Sequence, residues 1–249
     1  MMLELDNLSV LRGQCPVVDS VSARVGAGEL IGLIGPNGAG KTSLMRGALG
    51  LIAARGRSSL AGLDPMARAR AAAWLPQARE IAWGLSVAEL VALGRLPHGR
   101  DMQGTGAAAV EEALRRMGLE TYRDRTATHL SGGEQARVLI ARALAQESPL
   151  ILADEPIAGL DPAAQIATME VFEAHARAGG AVVTSLHDLG LAARHCTRLW
   201  VMDRGRLVAD GKPEEVLTEQ LLAEVFHIRA HFRITPEGPV FQPLSTLGI

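Results

Sequence analysis

The run Leu30-Ile31-Gly32-Leu33-Ile34-Gly35-Pro36-Asn37-Gly38-Ala39-Gly40-Lys41-Thr42 constrains this chain more than any other stretch. Its first five residues suit a short buried parallel strand. The next eight fit G-x-x-x-x-G-K-[ST], a phosphate-binding loop, and Ser43 to Leu49 then places Leu44, Ala48 and Leu49 at helical spacing. Strand, glycine-rich turn and helix start in that order are the context the motif requires. Gly38 and Gly40 are expected to let backbone amides close on phosphate oxygens without a Cβ intervening. The helix N-terminus adds positive potential. Lys41 would reach the β- and γ-phosphates, and the Thr42 hydroxyl would ligate Mg²⁺. Of 25 basic residues, only Lys41 and Lys212 are lysines. A compact ammonium suits a position between phosphates where a guanidinium fork would crowd the turn.

At 249 residues the length allows one large α/β domain with an insertion. A net charge of −2 argues against bulk attraction to nucleic acid, and 3% aromatic residues leave little for stacking bases. Cys15 and Cys196 are far apart, without C-x-x-C spacing, and read as buried or half-buried thiols in a reducing compartment. The first residues lack the long apolar core of a signal peptide, and no apolar stretch approaches the roughly 20 residues that cross a bilayer. A chain soluble by itself is expected.

Leu3, Leu5, Leu8 and Val10 roughly alternate with polar residues, as in an edge strand, and Val17 to Val25 reads as its antiparallel partner. A looser, Arg- and Ala-rich segment is expected from Arg55 to Ala73. From Ala78 to Gln146 the pattern is helical. Ser86 and Glu89 form a capping box for Val87 to Gly94, Leu96 to Gly106 reads as a loop, and Val110, Ala113, Leu114 and Met117 share an apolar face. Leu150 to Glu155 and Ala181 to Leu186 are further buried strands, and Asp161-Pro162 caps and opens a helix. A hairpin turns at Asp203-Arg204-Gly205, a helix covers Pro213 to Phe226, and short strands and loop complete the tail.

Two acidic residues close the Leu150–Ala153 run. Asp154 suits a hard cation, held directly or through water. Glu155, pointing the other way if the strand continues, is placed to polarise a water attacking the γ-phosphate. His187 stands at the end of another apolar strand, as a γ-phosphate sensor would.

Taken with Gln77, Leu130-Ser131-Gly132-Gly133-Glu134-Gln135, Ile151-Leu152-Ala153-Asp154-Glu155, Gly159-Leu160-Asp161 and His187, the phosphate loop makes residues 3 to 225 resemble the ATP-binding subunit of ABC transporters. The resemblance implies a RecA-like P-loop NTPase core over 1–76 and 147–225 with an antiparallel β edge. A helical subdomain over 77–146 would carry the signature LSGGEQ, with a C-terminal extension over 226–249. It further implies ATP held by Gly35, Asn37, Gly38, Ala39, Gly40, Lys41, Thr42 and Ser43. Mg²⁺ would be held by Thr42, Gln77 and Asp154, and Glu155, His187 and Gln77 would be catalytic. In the family two subunits pack head to tail, so Ser131, Gly132, Gly133 and Asp161 of one copy would close over ATP held by its twin. The implied partners are integral-membrane permease subunits at the cytoplasmic face of the inner or plasma membrane and, indirectly, a substrate-binding protein. Nucleic acid is not expected.

Two positions depart from the family pattern: Arg12 stands where an aromatic usually stacks on adenine, and Ile157 replaces a common Thr or Ser. Arg could stack by cation–π. Leu75-Pro76-Gln77 followed by Val91-Ala92-Leu93-Gly94-Arg95-Leu96-Pro97-His98 is similar to importers of iron–siderophore, haem and vitamin B12. The alternative is a soluble ABC-type ATPase acting in assembly or on nucleic acid. Having one nucleotide-binding unit, no coiled-coil insertion and no basic tract speaks against it.

Overall fold

The computed structural model describes residues 1–78, 80–99 and 104–248. β1 (Leu3–Arg12) and β2 (Cys15–Val25) pair antiparallel, with Leu3 opposite Val25, Leu8 opposite Val21 and Val10 opposite Val18. The apolar alternation in β1 slips between Leu5 and Leu8, and the pairing register shifts at the same place. There Asn7 takes a φ of 48°. Asparagine tolerates the left-handed region, and the bulge keeps Leu3, Leu5, Leu8 and Val10 facing the core.

β3 (Leu30–Ile34) is buried at every position and delivers the chain into α1 (Lys41–Ala48). The expected looser segment is in fact structured. β4 (Arg55–Ser58) adds to the free edge of β1, α2 (Pro65–Ala71) follows, and β5 (Ala72–Leu75) enters the main sheet. Only Ser58 of Arg-Gly-Arg-Ser is buried, so β4 carries no apolar alternation to betray it. The helix did leave a sign: Asp64 accepts from the Met66 and Ala67 amides, and Pro65 sits in the first turn.

After β5 come α3 (Val87–Ala92), a 3₁₀ stretch Leu93–His98, α4 (Thr105–Arg116) and α5 (Gly132–Ala145). Both halves of the Ser86–Glu89 capping box form. The helix expected to reach Gly94 tightens to 3₁₀ geometry after Ala92. The expected loop from Leu96 therefore begins helically, and its residues 100–103 lie outside the described ones. Val110, Ala113, Leu114 and Met117 are buried together with the inner face of α5.

β6 (Leu150–Ala153), α6 (Pro162–Arg177), β7 (Ala181–Ser185), α7 (Leu189–His195), β8 (Arg198–Asp203) and β9 (Arg206–Gly211) complete the main sheet. Its order is β5-β6-β7-β3-β8-β9, and every neighbouring pair is parallel except β8–β9. The period of two divides the core into layers. Ile31, Leu33, Leu150, Leu152, Val183 and Trp200 face α1 and the β2-β1-β4 sheet. Leu30, Ile34, Ile151, Val182 and Leu199 face α5, α6 and α7.

The helix expected over Pro213 to Phe226 is two: α8 (Pro213–Val216) and α9 (Glu219–Phe226), the second capped by Thr218, which accepts from the Leu221 amide. The tail is better ordered than expected. β10 (Ile228–Thr235) and β11 (Gly238–Thr246) form a hairpin whose Phe232 and Phe241 pack on the core. Cys196 is buried as expected, but Cys15, at the exposed start of β2, is not.

Candidate active site

In an open sheet the carboxyl ends of parallel strands form the natural ligand crevice. Here those ends deliver Gly35 after β3, Gln77 after β5, Asp154 and Glu155 after β6, and His187 after β7. A cavity of about 320 Å³ is lined by Arg12, Asn37 to Ser43, Gln77 and Glu155.

α1 begins without a side-chain cap and without an acidic residue in its first turn. Its first amides are thus left for an anion. The two glycines of the turn differ in what they avoid. A Cβ on Gly38, at a φ of 80°, would stand in open space, whereas one on Gly40 would lie 2.4 Å from the Val17 carbonyl oxygen. Gly38 therefore fits the expected approach of phosphate, while Gly40 is required by the close passage of β2. Lys41 Nζ folds back to donate to the Gly35 and Pro36 carbonyls at 2.7 and 3.0 Å. Burial lowers its pKa from the ordinary lysine value, and the charges of Glu155 and Asp154 partly restore it.

β6 does not continue past Ala153 as the sequence suggested; Glu155 takes a φ of 48°, and this turn directs its carboxylate to the cavity. Gln77 Nε2 donates to Glu155 Oε2 at 2.9 Å, and His187 Nε2 lies 2.8 Å from Glu155 Oε1. Ser185 was not foreseen. Its hydroxyl donates to Asp154 Oδ1 and accepts the Glu155 amide, both at 2.8 Å. A serine closing the apolar β7, two residues before His187, was the available sign.

Asp154 is 1% exposed, and its Oδ2 has no hydrogen-bond partner among the described residues. A buried carboxylate oxygen without a donor fits a cation ligand better than a purely structural role. Among the described residues no three His, Cys, Asp or Glu side chains converge on a metal position. A cation beside Asp154 would therefore complete its shell from phosphate, hydroxyl and water, as Mg²⁺ does.

Ser131, Gly133 and Asp161 line a separate groove, with Arg115, Glu134 and Arg137 among its walls. Ser131 is the N-cap of α5, and Glu134 takes its amide and hydroxyl protons, each at 2.7 Å. A Cβ on Gly132 would meet nothing within 4 Å. Asp161 caps α6 through the Ala164 amide. One chain thus places the expected nucleotide residues in two groups.

The ABC transporter family model matches residues 18–158. A hemin import ATP-binding protein, HmuV, of Streptomyces coelicolor is 42% identical over 228 residues, covering 88% of this chain and 81% of the relative. HmuV of Pseudomonas putida is 40% identical over 95% of this chain and 96% of its own length. A cobalamin import ATP-binding protein, BtuD, of Halobacterium salinarum is 40% identical over 92% of this chain and 60% of its own. Among solved structures, an ATP-binding subunit of an ABC transporter superposes with a TM-score of 0.78 at 29% identity, covering 87% of this chain and 92% of that one. With the phosphate loop, the signature and the acidic strand end disposed on this sheet, the chain belongs to the ABC transporter family as an ATP-binding subunit.

Proposed function

We propose that the chain hydrolyses ATP to drive import of a metal chelate of the haem or cobalamin kind. Two copies would work head to tail beneath separate permease subunits at the cytoplasmic face of the membrane, supplied by a substrate-binding protein. The import names of the relatives and the Gly94-Arg95-x-Pro97 run support the cargo class. No described helix is long and apolar enough to cross a membrane, so the pathway for cargo is assigned to other chains. In this division, 1–76 with 147–225 is the nucleotide-binding core, 77–146 the helical subdomain, and 226–249 the extension.

The observation that carries the proposal is the Glu155 carboxylate held between Gln77 and His187 at the mouth of the phosphate-loop cavity. Lys41 would exchange its two loop carbonyls for β- and γ-phosphate oxygens. Thr42, Gln77 and Asp154 would hold Mg²⁺, which when bound neutralises charge on those oxygens. Gln77 would offer its amide oxygen to the cation, Glu155 would take the proton of the attacking water, and His187 would sense the γ-phosphate. Arg12 would lie at the base, and Ser131, Gly132, Gly133 and Asp161 of the twin would close the far side.

Glu155→Gln tests the central assignment. ATP binding should persist, steady-state hydrolysis should fall on the order of 10²- to 10⁴-fold, and an ATP-bound dimer should accumulate on size-exclusion chromatography. Hydrolysis at the wild-type rate would remove Glu155 from the mechanism.

A further inference from the structure

The Gly94-Arg95-x-Pro97 run plays no part in the chemistry above, yet it builds a buried junction. Gly94 lies so close to the last turn of α5 that a Cβ there would stand 2.2 Å from the Arg142 carbonyl oxygen. Arg95 is only 6% exposed. Its Nη1 donates to the Ala145 carbonyl at 2.8 Å and to Glu147 at 2.6 Å, across the C-terminus of α5, where a cation is favoured. Its Nε is buried and without a partner among the described residues. His98 Nε2 donates to the Gln146 carbonyl at 2.8 Å, and Pro97 accepts from Arg70 of α2 at 2.7 Å. Gln146 donates onward to the Ala69 carbonyl of α2 and to the Ala72 carbonyl, where β5 begins.

The other end of α3 is tied as well. The Val87 and Ala88 amides donate to the Arg125 and Arg123 carbonyls, and Ala127 donates back to Leu85, all within 2.9 Å. The α3–3₁₀ stretch is therefore strapped at both ends, once to the Arg123–Ala127 segment that leads into α5 and once to the C-terminal end of α5 itself. One strap lies just ahead of the signature serine, the other where α5 ends. The first strap follows the segment leaving Gln77. It passes a displacement to the segment ahead of Ser131. The second ties the far end of the α3–3₁₀ stretch to the far end of α5, so that with both in place α5 is carried along its whole length rather than pulled at one end.

We infer that Arg95 is a positioning residue: it locks α3 to α5 so that the state of Gln77 sets where Ser131 is presented to the ATP of the twin. This rests on the head-to-tail assignment above. Arg95 is buried but Glu147 is exposed, and an ion pair with one partner in solvent adds little to stability. Arg95 is retained for geometry, and its loss should show in closure rather than in melting.

The experiment is ATP titration of dimer formation in the Glu155→Gln chain, with and without Arg95→Met, Arg95→Lys or Glu147→Gln. Monomer affinity is measured separately with a fluorescent ATP analogue at a protein concentration too low to dimerise. Arg95→Met should keep that affinity within about twofold and raise the ATP needed for half-dimerisation about tenfold. Arg95→Lys, keeping the charge at the helix end, should recover part of the loss. If Glu155→Gln alone fails to dimerise, the head-to-tail assignment falls. If it dimerises and a folded Arg95→Met follows the same curve, the role of Arg95 falls. Should Arg95→Met not melt cooperatively, Arg95→Lys and Glu147→Gln decide: smaller shifts in the same direction support the role, and superposable curves overturn it.

Discussion

Two helices of this chain, α1 after a glycine and α5 after a serine, treat their N-termini in opposite ways. α1 follows Gly40, has no side-chain cap and has no acidic residue in its first turn. α5 follows Ser131 and carries Glu134 at its third position, closing a full capping box. The hydrogen bonds to the Ser131 hydroxyl and amide hold the Glu134 carboxyl below the usual carboxylate range. An N-terminus without a cap is prepared for an anion, whereas at α5 the Glu134 carboxylate already holds the Ser131 amide and hydroxyl and so competes with an incoming anion. Under the proposed function the contrast predicts an order of events: the phosphate loop would load ATP in a single copy, and the signature would engage only on closure.

The largest effect on this contrast is expected from Lys41→Ala. Removing the one ammonium beside the uncapped helix should weaken ATP binding on the order of a hundredfold, about 3 kcal/mol, by calorimetry. Equal binding would mean that α1 is no phosphate site. Ser131→Arg comes next: each copy should bind ATP as before, while ATP-driven dimerisation disappears in analytical ultracentrifugation. Persistence of the dimer would mean that α5 does not face a nucleotide. The smallest effect is expected from Glu134→Gln, which keeps the capping geometry and removes the competing charge. The ATP needed for half-dimerisation should fall about two- to fivefold. An unchanged or higher value would show that the carboxylate does not oppose closure.

The α1 side of this contrast was legible in the residues, because a loop that binds phosphate through its own backbone is a local object. Gly35 to Thr42, with an apolar strand before and helical spacing after, needs no distant partner to be recognised. The LSGGEQ signature is local too, and Ser131 with Glu134 is spaced as a capping box. That the box closes on itself and satisfies the Ser131 and Glu134 amides is a matter of rotamers and distance, seen only in the fold. β4 escaped because three of its four residues are exposed, so its place comes from pairing with β1 and from no pattern of its own. The terminal hairpin, expected only as short strands and loop, was blurred for a related reason: its strands alternate half-buried with exposed residues over much of their length, a weak signal until the core beneath is known.

The sequence by itself determined the kind of chemistry: a phosphate loop, paired carboxylates at the end of a buried strand, a histidine closing another strand, and a signature turn. These are short-range patterns of residue type, and covalent spacing suffices to express them. Only the tertiary structure decided which of these groups meet. It turned Glu155 through a left-handed residue onto Gln77 and His187, set Ser185 between the two carboxylate residues, and buried Arg95 against the end of α5. Those contacts join residues tens of positions apart, and only the sheet order and the packing of helices upon it bring them within hydrogen-bond reach.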